Sequence, residues 1–237
     1  MISYLLEIRQ RLIKVLMLFG GLFVFFFFFS AELLHSIVKP LLTELSGKDS
    51  LIATHITSAV FIPITLAANA ALLCSVPVLL YQAWRFIAPA LYVRERHTFC
   101  AALTVSVLLF FLGMMFCFYL ILPFMFQFFL HEAPSDVQIM PDITYTIEFI
   151  TRMLLLFGLC FQVPIICVTL VALQWIDIAQ LRKIRPYVIV GAFIIGMLLT
   201  PPDVFSQIIL AVPLCLLYEL GIWLCLFFKR SPLSIEN

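Results

Sequence analysis

Two carboxylates stand among arginines at the edges of apolar runs, Glu7 in LLEIRQRL and Glu95 in LYVRERHT. A carboxylate presents two oxygens in one plane, which suits bidentate hydrogen bonding to a guanidinium group. If both acids lie on one face of the protein, they form an anionic site for a cationic partner. They are out of keeping with their neighbours, because Arg9, Arg11, Arg94 and Arg96 already mark the polar edge of an apolar segment. A local reading also fits: Glu7 pairs with Arg11 four residues on, and Glu95 with Arg94 or Arg96 in a solvated loop. Exposed pairs contribute only about 0–1 kcal/mol, so stability gives little reason for either acid.

The elements that must carry these groups are membrane helices. The 237 residues are 64% hydrophobic and 11% charged, with a mean hydropathy of +1.16. A soluble core of this length cannot bury so much apolar surface, so the sequence predicts an all-α polytopic membrane protein, a single integral-membrane domain over residues 1–237. A net charge of +1 argues against a nucleic-acid partner. Spans of about 20 apolar residues are expected at Leu12–Phe29, Ala59–Ala83, Phe99–Phe124, Phe149–Leu173, Tyr187–Leu199 and Phe205–Phe228. The first follows a short basic segment but lacks a small-residue cleavage site, and reads as an uncleaved span. The fifth is short, roughly 20 Å against a 30 Å hydrocarbon core. The third overshoots, its apolar residues continuing through Pro123 to Leu130.

Basic residues set the orientation. Arg9, Arg11, Arg85, Arg94, Arg96, Arg182, Lys183, Arg185, Lys229 and Arg230 fall on one side of this six-span pattern, and only Lys39 and Lys48 on the loops opposite. The positive-inside rule then puts both termini in the cytoplasm. The loop with Glu132, Asp136 and Asp142 is external, and Glu7 and Glu95 share the cytoplasmic face.

Other polar groups carry two readings each. In TPPDVFSQ, Thr200 to Gln207, Thr200 caps the sixth helix, Pro201 opens it and Asp203 meets the positive end of its dipole. That is a capped hairpin; lying below the outer surface beside a short fifth span, it also makes Asp203 a charge partly within the bilayer. Glu219 lies about 15 Å inside the sixth span, as a contact for a partner helix or as half of a structural pair. Gln162, with Pro164 two residues on, puts an amide and a kink into the fourth span, the amide suited to an interhelical hydrogen bond. Glu148 and Arg152 form an i, i+4 pair. Phe86, Pro89 and Leu91 make an apolar turn that either anchors at the interface or contacts a docked peptide. The seven cysteines show no CxxC or Cys/His spacing, so they read as spectator thiols with no metal or cofactor. No nucleophile–base pair, HExxH or phosphate-binding glycine loop is present.

LLEIRQRL, YQAWRFIAPALYVRER and LRKIRPYVIVGAFIIGMLLTPPDVFSQ, with the six-span pattern, closely resemble the TatC family, multispanning core receptor subunits of the twin-arginine protein translocase. The resemblance covers nearly the whole chain. It implies a concave, glove-like bundle with short fifth and sixth spans, and a periplasmic cap from the first and third loops, in the bacterial inner membrane. It implies binding of twin-arginine signal peptides of folded precursors. It also implies assembly with TatA- and TatB-type single-span subunits and further copies of itself, and transport driven by the proton-motive force. By position, Glu7 and Glu95 fall on the family's peptide-binding acids, flanked by Arg9 and Arg94, with Phe86, Pro89 and Leu91 in the adjoining cytoplasmic loop. Pro40 matches a functional proline of the first periplasmic loop. Asp203, Gln207, Glu219 and Gln162 fall in the regions implied for partner helices and translocation. Where many relatives carry a glutamate this chain has Gln162, which cannot titrate.

The resulting expectation is a receptor and scaffold, not an enzyme. A secondary transporter is the alternative, but it calls for inverted repeats and a midplane ion site, and the sequence shows neither. An intramembrane enzyme needs a convergent nucleophile and base, which are also missing.

Overall fold

The computed structural model describes residues 2–44, 53, 57–87, 96–131, 141–199 and 204–230, and these are helical apart from short turns. In chain order the helices are α1 (Ile2–Phe28), α2 (Ser30–Glu44), α3 (Ser58–Ile87), α4 (Arg96–Phe116), α5 (Leu122–His131), α6 (Ile143–Cys160), α7 (Val163–Ala172), α8 (Ile178–Leu199) and α9 (Val204–Arg230). Among the described residues, five stretches are long and apolar enough to cross a bilayer: Arg9–Phe28, Val60–Arg85, Ala102–Phe129, Ile143–Ala172 and Val204–Phe227. α8 supplies the sixth. Its first turns carry Arg182, Lys183 and Arg185, so its uninterrupted apolar part is the short Tyr187–Leu199 stretch expected from the sequence. The apolar stretch of α9 runs for 24 residues, Val204–Phe227, about 36 Å at 1.5 Å per residue.

Local chemistry explains where these helices bend and stop. α4 and α5 are joined through a π-helical turn, Cys117–Ile121, immediately before Pro123. Proline has no N–H and crowds the carbonyl four residues back, so the ladder widens there while the rod continues to His131. α6 begins at Ile143, six residues ahead of the expected Phe149, because Asp142 caps it. Asp142 Oδ1 accepts from Thr144 N at 2.8 Å and Tyr145 N at 3.3 Å. Pro164 ends that run, leaving a turn at Phe161–Gln162 before α7. α7 closes in a left-handed Gln174 (φ 58°), with Trp175 N bonded to Leu170 O and Gln174 N to Val171 O. This is a Schellman ending with glutamine where glycine is usual. Asp177 then opens α8, its own N–H donating to Gln180 Oε1 at 3.0 Å, one half of a capping box.

The chain packs as two units, Met1–Leu103 with Cys117–Leu155, and Thr104–Phe116 with Leu156–Asn237. In the first, α1 lies on α3, and α2 meets α3 and α5. α3 buries the small residues Ala67, Ala70 and Ala71 beside Leu66, and small residues allow close helix approach. Phe149 of α6 packs its ring against Phe126 and Phe129 of α5. In the second unit α9 packs on α7 and α8, burying Cys167, Ile178, Leu181, Tyr218, Ile222 and Cys225 together. Outward-facing apolar side chains such as Leu16, Phe28, Leu198 and Phe227 are largely exposed, as a lipid-facing surface requires.

Candidate functional site

The sequence-marked residues fall at three places. The first is the end of α1 and α3. One turn after Glu7, Arg11 donates from Nη1 to the backbone oxygen of Gln82 at 2.9 Å. That bond ties the polar end of α1 to the last turn but one of α3. Arg9 is exposed, as is Arg85 on α3, while the neighbouring Trp84 is buried. Glu7 belongs to α1 and Phe86 to α3 by backbone; Pro89, Leu91, Arg94 and Glu95 lie outside the described residues. The engagement of Arg11 with Gln82 was not visible beforehand, because a backbone carbonyl that accepts from a side chain leaves no signature in residue type.

The second place is a buried polar centre in the second unit. Gln162 is 3% exposed, and its amide is used at both ends. Nε2 donates to Ser106 O at 3.0 Å, and Oε1 accepts from the Ser106 hydroxyl. The interhelical hydrogen bond expected from sequence is therefore made, with α4 as the other helix. Glycines bring the backbones close enough: a Cβ on Gly113 would lie 2.6 Å from Phe157 O, and one on Gly158 would strike the Phe110 ring. Ser106 went unremarked in the sequence, since serines are common in membrane helices.

The third place is the α8–α9 pair. Glu219 Oε2 accepts from Arg185 Nη2 at 2.7 Å, with both side chains about two-fifths exposed. Of the two readings open for Glu219, the structural pair is the one formed here. Arg185 had been counted only toward topology. Its place on the stripe Ile178, Leu181, Arg185, Val188 and Ala192, at helical spacing, was the signal that it faces α9. One residue before Glu219, the buried Tyr218 hydroxyl donates to Leu181 O at 2.8 Å. Toward the other end of α9, Gln207 Nε2 donates to Phe193 O at 2.9 Å. Asp203 lies outside the described residues, and Pro40 sits in α2. Glu148 and Arg152 make their i, i+4 contact at 3.1 Å.

The sequence matches the family described as "TatC: Sec-independent protein translocase protein (TatC)" over residues 3–213. This chain belongs to the TatC family. It is 42% identical to TatC of Haemophilus influenzae, covering all of this chain and 93% of the relative. With TatC of Escherichia coli K12 it shares 41% identity over all of this chain and 92% of that one. The fold superposes on a crystal structure described as the twin-arginine translocase receptor TatC with a TM-score of 0.87. There the identity is 34%, over 95% of this chain and 99% of the other. A second crystal structure, described as the twin-arginine translocase receptor TatC in DDM, gives a TM-score of 0.83 at 35% identity over 93% of this chain and 98% of the other. As a TatC-family member the chain is a multi-pass helical component of the twin-arginine protein translocase, a system whose other subunits are its partners.

Proposed function

We infer that this chain is the signal-peptide receptor of its translocase. Glu7 and Glu95 take the two guanidinium groups of a twin-arginine signal peptide at the cytoplasmic face, and Phe86, Pro89 and Leu91 contact the apolar residues that follow. The observation that carries this reading is the Arg11–Gln82 bond. It holds the end of α1 that bears Glu7 against the end of α3 that leads into the Phe86–Glu95 segment. The description of a solved relative as a receptor supports the same role. Arg9 and Arg94 then serve to set the membrane boundary beside the two acids.

The same reading places the protein in the bacterial inner membrane with both termini in the cytoplasm, working as a scaffold rather than an enzyme. TatA- and TatB-type single-span subunits dock at the Asp203–Gln207 end of α9, Pro40 acts in the first periplasmic loop, and the proton-motive force drives transport. Gln162, closed on Ser106, holds helices in register and moves no proton. The Glu219 carboxylate keeps Arg185 rather than reaching for a partner helix.

Each charge-assisted contact is worth about 1.5–3 kcal/mol, or roughly 10- to 100-fold in affinity. Crosslinking of a twin-arginine precursor to membranes holding Glu7→Gln or Glu95→Ala should fall by that order, with the amount of inserted protein unchanged. A twin-lysine precursor should crosslink poorly to the parent protein. Undiminished crosslinking to the double variant sinks the reading.

A further inference from the structure

Glu148 and Arg152 have no part in the role proposed above, and an ion pair on the outside of a span is costly unless headgroups or water reach it. Arg152 is 65% exposed and Glu148 39%, and both belong to the 30-residue apolar stretch Ile143–Ala172. At 1.5 Å per residue that stretch is about 45 Å long, against a hydrocarbon core of about 30 Å. One end is marked by the turn after Ala172, where Trp175 is exposed and Asp177 opens α8; tryptophan favours headgroup level. About 20 residues counted back from Ala172 fill the core, which leaves Arg152 at its far edge and Glu148 one turn outside.

A second count agrees. Along α4 and α5, Phe126 and Phe129 lie about 36 and 40 Å from Ala102, past the same core, and both rings pack on Phe149. The residue next to Glu148 therefore stands at headgroup level. Tyr145, also exposed, shares this side of α6 with Glu148 and Arg152 at helical spacing.

The pair leaves an acceptor and several donors unused. Glu148 Oε2 accepts from Arg152 Nη2 at 3.1 Å, and among the described residues neither side chain has another partner. A guanidinium carries five N–H donors and a carboxylate two oxygens, so most of this capacity is open to the surroundings. The pair sums to zero charge and gives no general preference for an anion. What it presents is an order along the membrane normal: a carboxylate outermost, a guanidinium about 6 Å deeper, then Met153, Leu154 and Leu155. An aminophospholipid carries the complementary groups in the same order, with its ammonium outermost, its phosphate next and its acyl chains innermost.

We propose that this face of α6 binds the headgroup of one phosphatidylethanolamine-type lipid, its ammonium donating to Glu148 and its phosphate accepting from Arg152, with an acyl chain running inward past Leu155. Neither contact requires the Glu148–Arg152 bond to break. The site does not involve Glu7 or Glu95, and the orientation proposed above puts it in the outer leaflet.

The test is photocrosslinking of the full chain in phosphatidylcholine vesicles. The probe is a phosphatidylethanolamine with a diazirine near the carbonyl end of one acyl chain, compared with phosphatidylcholine and phosphatidylglycerol carrying the same chain. Probe in both leaflets makes the result independent of the direction of insertion. Adducts should map to Glu148–Leu155, with the ethanolamine lipid favoured about 5-fold, the scale of one exposed charge contact. Glu148→Gln should lower its yield to that of the choline lipid. Glu148→Arg with Arg152→Glu keeps an i, i+4 bridge but reverses the order of charges, and should remove the preference with helix content and inserted amount unchanged. Retention of the preference in the swapped protein overturns the proposal, as do equal yields from the three headgroups or a higher yield from phosphatidylglycerol. In native membranes, a benzophenone side chain at Tyr145 that captures polypeptide and no lipid also overturns it, and assigns the face to a protein partner.

Discussion

Gln162 is where a single residue decides most in this molecule. An amide inside a span is costly unless each of its polar atoms finds a partner, and here one serine supplies both a hydroxyl donor and a backbone acceptor. Ser106→Ala and Gln162→Leu should each destabilise the protein. Their coupling in a double-mutant cycle should be about 0.6–1.7 kcal/mol, the range of interhelical hydrogen bonds in membranes. Unfolding in mixed detergent micelles measures it; strictly additive effects would show that the pair is geometric coincidence. The oddness of Gln162, and of Glu219, was legible in the sequence because a polar group in an apolar run stands out whatever surrounds it. Their partners were not. Ser106 and Arg185 each have an unremarkable local explanation, as a small helix residue and as a topology-setting cation. Only the approach of a second helix gives them another role.

At the scale of the helix, the readable signals were those carried by proline and by i, i+4 spacing. Pro164 marked the break between α6 and α7, Glu148 and Arg152 met as expected, and the charges opening α8 gave its short apolar stretch. The π turn before Pro123 and the early start of α6 were harder to see, because both depend on backbone hydrogen bonds that hydropathy ignores. Glycine shows the same limit. Gly113 and Gly191 look equivalent in sequence, yet a Cβ at Gly113 meets Phe157 O and the Phe161 ring, and one at Gly191 meets nothing within 4 Å. A backbone oxygen cannot swing aside as a side chain can. Gly113→Ala is therefore expected to cost about 1–3 kcal/mol through overpacking, whereas Gly191→Ala should be neutral or slightly stabilising, by up to about 1 kcal/mol. Paired unfolding measurements decide it, and equal effects at the two sites would mean α4 and α6 stand further apart than described.

For the whole molecule, the order of spans follows from hydropathy, while sidedness rests on charge alone. The bilayer is symmetric enough in its core that helix packing does not choose a direction; retention of Lys and Arg on the cytoplasmic side during insertion does. In sequence, Arg182 and Lys183 at the start of α8 contrast with the acidic segment holding Glu132 and Asp136, and the orientation expected from the positive-inside rule puts the two on opposite sides of the membrane. Ala179 is exposed beside the basic cluster, and Ser135 lies between the two acids in sequence. The native cysteines fall in or beside apolar runs, which should keep them from a membrane-impermeant maleimide. In intact cells with the outer membrane made permeable, that reagent should label Ser135→Cys and leave Ala179→Cys untouched. Ala179→Cys should react only once the inner membrane is opened. The reverse pattern would place Glu7 and Glu95 on the face away from the cytoplasm, where no precursor could reach them, and the receptor reading would fall with the orientation.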